Sequence, residues 1–384
     1  MNKLNVSKIE ALMIACISIL TLFYCIKLVG NHITTKRSKV FLNQDAFPLK
    51  SDAWFQEHLS NYSKFKNQPR HISGYLNWSH NEFKSSTINT SRYGYRLSGE
   101  CSRSWPPSPL NNNIFIFGGS RAFGYGVADD QAMSFLIEKS LNEGTISRNG
   151  FCSYNFAQAG YMPEQVLSHV LHLSAIGSLD NSVIIYMDGV NEGENPFPES
   201  IDLKGAYIRK SISFGHSLSS FVKNRVLGSL KSDPINYSFL TSEDFDKSIS
   251  VSEHKYLADV SYNRFCGVTL ALKSIVESKN SIFVRVLEPN PSFPSHKKHT
   301  KFRQWNRLFD ILDGADRQSN YFYEYARGGC KEWPVDLNFL DLSDFAPAFE
   351  ASAYSDWAHY SPALNAAISA KIVEILKLEY GNTK

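Results

Sequence analysis

The feature that most constrains this chain is a short apolar run ending in two glycines and a serine: Ile114-Phe115-Ile116-Phe117, then Gly118-Gly119-Ser120. The run is long enough for a strand and short for a helix. Apolar at every position, it has to be covered on both faces, which is the condition of a strand inside a parallel sheet. The two glycines let the chain turn sharply, so the Ser120 hydroxyl projects at the carboxyl end of that strand. The residues after it can open a helix or turn whose amides face the same spot.

The pattern then repeats. Tyr154-Asn155-Phe156-Ala157, Val183-Ile184-Ile185-Tyr186-Met187 and Ile282-Phe283-Val284-Arg285-Val286 read as further strands, with Asn338-Phe339-Leu340-Asp341 as a fifth. Helical segments are expected from Asp130 to Leu141, Pro163 to Leu173, about Val251 to Ser278, and Ser361 to Leu378. Strands alternating with helices predict an α/β fold: a three-layer α/β/α sandwich on a central, mainly parallel sheet with right-handed crossovers. The main domain is expected over 111–384. An insertion at about 192–250, weakly periodic and rich in Ser, Pro and Gly, would lie over the carboxyl edge of the sheet, where such folds place their ligands.

Upstream, 31–110 is polar, aromatic and irregular, and reads as a linker and a non-helical lead-in packed on the main domain. Residues 1–30 hold the uncharged stretch Ala11–Ile26, interrupted by Lys27 and continued to Val29. With Lys27 snorkelling, Ile9 to Val29 approaches the ~20 residues of a membrane span. No small-residue cleavage pattern follows it, so an N-terminal transmembrane anchor is expected rather than a cleaved signal. Counted plainly, the flanking charges favour a cytoplasmic C-terminal side: Lys3 and Lys8 with Glu10 precede the span, and Lys27, Lys36, Arg37 and Lys39 follow its apolar core. The net charge of +3 is too small and too dispersed for a nucleic-acid partner. Four of the six cysteines, Cys101, Cys152, Cys266 and Cys330, lie in the main domain or its lead-in. An even number permits disulfides in an oxidising compartment, and none sits in a nucleophile-like context.

The Ser120 loop continues Arg121-Ala122-Phe123-Gly124-Tyr125-Gly126-Val127. It is no phosphate loop, because Gly124 is followed by Tyr125 rather than Lys, and it lacks the G-x-G-x-x-G of a dinucleotide site. The elbow G-x-S-x-G fails at Ala122. Alone, the loop reads equally as a plain tight turn, with Arg121 pointing outward or toward an anionic substrate. A second signal lies at the far end, in Tyr354-Ser355-Asp356-Trp357-Ala358-His359-Tyr360-Ser361-Pro362. A spacing of three lets Asp356 fold back on the imidazole and hold the tautomer in which the other nitrogen takes a proton from a serine. A surface Asp beside an ordinary helix-start His is the plain alternative. Between the two signals, Gly160 follows the second strand and Asn191 the third. Either could join the Ser120 amide as a donor to a developing oxyanion, or be a turn glycine and a loop cap.

Taken jointly, Ser after the first strand, Gly after the second, Asn after the third and Asp-x-x-His before the last helix resemble the SGNH (GDSL-like) hydrolases, named for those four residues. The Gly119-Ser120-Arg121 sequence departs from Gly-Asp-Ser-Leu and looks like a Gly-Gly-Ser subgroup. Asn89, Gly94 and Arg96 resemble that subgroup's upstream Asn-x-x-x-Gly-x-Arg, with one residue more between Asn and Gly. The resemblance covers about Ile114 to the C-terminus. It implies a serine esterase acting through an acyl-enzyme, with catalytic Ser120, Asp356 and His359 and an oxyanion hole of Ser120, Gly160 and Asn191. No metal and no cofactor are implied. The expected substrate is a small-molecule or carbohydrate ester, with an ester of a cell-envelope carbohydrate as the candidate. The alternatives are an O-acyltransferase on an envelope glycan and a non-catalytic glycan-binding protein with the same fold. The resemblance also implies a single-pass protein of a bacterial inner membrane with its catalytic domain in the periplasm, opposite to the charge count.

Overall fold

The computed structural model describes residues 42–71, 78–97, 99, 101–144, 149–194, 251–290, 313–330, 338–345, 352–356 and 358–382. The expected anchor at 1–30 and nearly all of the expected insertion lie outside them. Among the described residues no helix is long and apolar enough to cross a membrane.

At the centre is a parallel five-stranded sheet: β3 (Asn112–Gly118), β4 (Phe151–Asn155), β5 (Val183–Asp188), β6 (Ile282–Leu287) and β7 (Phe339–Asp341), in spatial order β4-β3-β5-β6-β7. Two strands precede them, β1 (Arg70–His71) and β2 (Ser79–His80), paired antiparallel outside this sheet. The helices are α1 (Asp52–Lys66), α2 (Ser120–Phe123), α3 (Met133–Glu143), α4 (Pro163–Ala175), α5 (Val190–Glu194), α6 (Val251–Glu277), α7 (Asp313–Ala326) and α8 (Pro362–Asn382).

The chain leaves β3 toward β4, then crosses back over β3 to reach β5 and continues to β6 and β7. With right-handed crossovers, that reversal sends the connecting helices to opposite faces. One face of the sheet carries Phe115, Phe117, Tyr154, Ile184, Tyr186 and Phe283 into a core with residues of α4, α6 and α7. On the other, Ile114, Ile116, Ile185 and Val284 are buried, and α3 packs against β4 and α8. The strands are therefore apolar on both faces, as the uninterrupted runs require. The reversal at β3 also opens the crevice that such sheets offer a ligand, at the carboxyl ends of β3 and its neighbours.

Three expectations are corrected. The second strand is Phe151–Asn155, three residues earlier than the sequence suggested. Its first half pairs with Asn112–Ile114, and the polar Ser153 interrupts the apolar run; the backbone N–H of Ser153 donates to the Glu138 carboxylate at 2.8 Å. The first helical segment is broken. A 3₁₀ turn at Asp129–Gln131 precedes α3, with Ala132 extended between them.

The lead-in is not non-helical, because it contains α1. Ser51 caps that helix by accepting from the Trp54 N–H at 3.2 Å, Asp52 opens it, and Lys64 and Lys66 close it, the charge order the helix dipole favours. Its buried face is Phe55, His58, Asn61, Tyr62 and Phe65, a helical stripe in which three of the five members carry polar groups. The lead-in is also stitched to the rest of the chain: the Arg96 N–H bonds to the Asn155 carbonyl at 2.9 Å, and the Asn43 N–H to the Ser355 carbonyl at 2.6 Å.

Candidate active site

The Ser120 turn stands at the carboxyl end of β3, and both of its glycines are sterically required. Gly118 has φ +145°, and a Cβ there would meet the Met187 carbonyl of β5 at 2.1 Å. A Cβ on Gly119 would come within 2.5 Å of Asn191 Nδ2. The absence of side chains lets β5 approach and puts the Asn191 amide directly against the turn that presents Ser120. Asn191 Nδ2 is oriented by donating to the Tyr161 carbonyl at 2.9 Å.

His359 reaches Ser120 from the far end of the sequence. Its Nε2 lies 2.9 Å from Ser120 Oγ, and its Nδ1 lies 2.7 Å from Asp356 Oδ2. Asp356 is held in turn by the backbone N–H groups of Ala358 and His359, both donating to Oδ1 at 2.8 Å. Burial alone would raise the Asp356 pKa. The electrostatic interaction with the adjacent His359 ring and these hydrogen bonds overcome it and bring it down to about 2. The carboxylate is therefore ionised at neutral pH, and Nδ1 is the nitrogen it keeps protonated, which leaves Nε2 facing the hydroxyl.

Gly160 is exposed, with φ +71° and nothing within 4 Å of where a side chain would start. Its loop lies beside the turn, because the N–H of Gln158, two residues earlier, donates to the Gly118 carbonyl at 3.1 Å. Ser120, His359 and Asp356 thus meet in one hydrogen-bonded chain, and the Asn191 amide and the Gly160 loop flank the Ser120 turn.

No family model matches the chain, and no curated protein does. Among solved structures it is similar to the lipase Lip_vut3 from a goat rumen metagenome, at 12% identity and a TM-score of 0.41, over 68% of this chain and 96% of that one. It is also similar to a lipase/acylhydrolase from Enterococcus faecalis, at 12% identity and a TM-score of 0.33, over 70% and 96%. Likeness at that level says nothing of chemistry, which has to be read from the side chains themselves.

Two residues brace the site in ways the sequence did not announce. Arg121 does not point outward. It is buried, with Nε donating to the Ala358 carbonyl at 2.7 Å and Nη1 lying 3.4 Å from Glu288 Oε1. It ties the nucleophile turn to the loop that carries His359. Glu288, at the end of β6, also accepts from the Val190 N–H at 3.0 Å and faces the Tyr360 hydroxyl at 3.4 Å. One carboxylate thereby joins the Ser120, Asn191 and His359 loops. Its only sequence signal is position: like Ser120 and Asn191, it directly follows a strand of the sheet.

A second brace comes from the lead-in. Arg96 is fully buried. Its Nε meets Asp129 Oδ1 at 2.8 Å, and its Nη atoms donate to the carbonyls of Phe123, Gly124 and Val127 at 3.1, 2.5 and 2.7 Å. Asn89 Nδ2 donates to the other Asp129 oxygen at 2.8 Å. The upstream Asn and Arg of the resemblance thus hold the backbone that leaves Ser120.

That loop ends under His359. The Tyr125 ring stacks on the His359 imidazole, with centroids 5.4 Å apart and planes 28° apart. His58 of α1 lies 3.1 Å from the Gly126 carbonyl, and burial pushes its pKa down to about 4, so the ring is neutral and Nε2–H is the donor. Behind Asn191, Glu192 is buried and accepts from the Gly189 N–H at 2.8 Å. Burial raises its pKa to about 7 against the pull of that bond.

Proposed function

We propose that this chain is a serine ester hydrolase of the SGNH type, with Ser120 as nucleophile, His359 as general base and Asp356 as its orienting carboxylate. The observation that carries the reading is the hydrogen-bonded chain from Ser120 Oγ through both ring nitrogens of His359 to Asp356 Oδ2. Residues 239 positions apart in sequence converge there at the carboxyl edge of the sheet.

In this mechanism His359 Nε2 takes the Ser120 proton as Oγ attacks the ester carbonyl. The ionised Asp356 stabilises the imidazolium that forms. The carbonyl oxygen becomes an oxyanion, for which the Ser120 amide, the Asn191 side chain and the Gly160 amide are the proposed donors, each worth on the order of 10²–10³ in rate. His359 then returns the proton to the departing alcohol. Water, deprotonated by the same nitrogen, releases the acyl group from Ser120.

The test is turnover of 4-nitrophenyl acetate by the chain and by its Ser120→Ala form. Activity that depends on Ser120 is expected, and equal turnover by the two would overturn the mechanism.

We place the domain in an oxidising compartment, tethered by the segment before residue 31 and acting on an ester of an envelope carbohydrate. Support comes from two disulfides, Cys101–Cys152 and Cys266–Cys330, which pair all four cysteines beyond the apolar segment. Such bonds persist outside the cytosol. A reporter fused after Lys384 is expected to be active only on the non-cytoplasmic side, and a signal confined to the cytoplasm would refute the placement.

A further inference from the structure

The two disulfides differ in their surroundings, and one of them has an acid built against it. Cys101–Cys152 joins the lead-in to β4, the edge strand of the sheet. Glu138 of α3 reaches this bridge. Its Oε2 lies 3.6 Å from Cys101 Sγ, and a carboxyl oxygen and both sulfurs fall within 4.8 Å of one another. The placement depends on Gly99, where a Cβ would meet Glu138 Oε1 at 2.1 Å. Neither bonded sulfur carries a hydrogen, so an ionised carboxylate would turn its lone pairs against those of sulfur. A protonated one donates its O–H to sulfur and still accepts the Ser153 N–H at 2.8 Å. Burial favours that form and raises the Glu138 pKa to about 7, against the pull of the Ser153 bond.

Thiol–disulfide exchange asks two things of a bridge: a sulfur that an incoming thiolate can reach, and a leaving sulfur that can bear or lose its charge. Cys101 is partly exposed, and Cys152 is fully buried in the apolar core. Attack at Cys101 therefore expels a thiolate into the interior, where its charge is costly unless a proton meets it. Glu138 holds that proton. Cys266–Cys330 is the reverse case. Arg285 Nη1, 3.6 Å from Cys330 Sγ, would favour a thiolate there, but both cysteines are buried, and access decides. Among the described residues no carboxylate stands within the same reach of both its sulfurs.

We infer that Cys101–Cys152 is an exchange site for small-molecule thiols, with Glu138 as proton donor to the leaving sulfur, while Cys266–Cys330 stays closed to them. A thiolate attacks Cys101 Sγ. The S–S bond breaks with its electron pair on Cys152 Sγ, which takes the Glu138 proton, and solvent reprotonates Glu138. A second thiolate attacks the sulfur of the first thiol, now bonded to Cys101. Cys101 leaves and is protonated in turn. Two thiols are thus oxidised to their disulfide, and the bridge gains two electrons and two protons. What opens is the covalent tie between the lead-in and the sheet. None of these steps uses Ser120, so the inference stands apart from the ester-hydrolase reading.

The test is incubation of the folded full chain with reduced glutathione at pH 7, quenched at intervals with iodoacetamide, with each cysteine followed by peptide mass. Cys101 and Cys152 are expected to become alkylated at least about tenfold faster than Cys266 and Cys330. Early samples should carry glutathione on Cys101 rather than on Cys152, a result the parent chain gives by itself, whether or not a variant folds. Glu138→Gln keeps an oxygen for the Ser153 N–H but has no acidic proton. It is expected to slow the opening of Cys101–Cys152 about tenfold and leave Cys266–Cys330 unchanged. Mere loosening of the packing would act in the opposite sense. Equal rates for the two bridges, glutathione on Cys152 instead of Cys101, or a bridge that opens as fast or faster in the Glu138→Gln chain each overturns the inference.

Discussion

Ser120→Ala and His359→Ala are each expected to slow ester turnover by at least about 10⁴-fold, and the double variant is expected to be no slower than the worse single one. The geometry dictates this lack of additivity. Ser120 Oγ and His359 Nε2 lie 2.9 Å apart and act on one proton, so removing either partner leaves the other without a task. Asp356→Asn is expected to cost less, because it removes the charge that stabilises the imidazolium but keeps an oxygen to accept from Nδ1 and the two backbone N–H groups. Donors to the oxyanion should survive all three changes, so a residual acceleration over water should persist. Single-turnover rates with 4-nitrophenyl acetate would check it. Losses that multiply in the double variant would mean that the two residues contribute through separate steps, and the proposed relay would not stand.

The parts of this fold that were legible in sequence are those where one local rule dominates. A parallel strand buried on both faces shows as a bare apolar run, and β3, β5 and β6 were placed to within two residues. The loops bearing Ser120, Gly160 and Asn191 were found because each directly follows such a run. What escaped detection is held by polar groups whose partners are distant in sequence. α1 buries His58 and Tyr62 among its core positions, so its stripe does not read as apolar. Arg121 looked like a surface cation because its acceptors, Ala358 and Glu288, lie 237 and 167 residues away. A buried charge leaves no composition signature, since only the fold decides whether it is paired or solvated. Arg96 is intermediate. The resemblance marked it, but only the fold reveals that it holds three carbonyls of the loop after Ser120.

Arg96→Met is the substitution away from the Ser120 relay expected to cost most. It removes four hydrogen bonds at once, to Asp129 and to the carbonyls of Phe123, Gly124 and Val127, from a side chain with no exposed surface. Breaking a buried pair by deleting one partner typically costs about 3–5 kcal/mol, because the remaining charge is left uncompensated. Here the remaining charge is Asp129, whose pKa burial already raises even with Arg96 beside it. Without Arg96 it should rise further. A folded-state carboxyl pKa above the unfolded value costs nothing below the unfolded value. The penalty grows as pH climbs toward the folded one and is complete above it. The variant's deficit in urea unfolding should therefore be larger at pH 8 than at pH 5. Asp129→Asn in the same chain should recover part of it by removing the stranded charge, an interaction a double-mutant cycle would report. The three carbonyls remain unsatisfied in either case, so recovery should be incomplete. Activity should fall alongside, since the loop they belong to carries the Tyr125 ring onto His359. A deficit below about 1 kcal/mol, or one that does not change with pH, would mean that Arg96 fills space in this loop rather than holding it by charge.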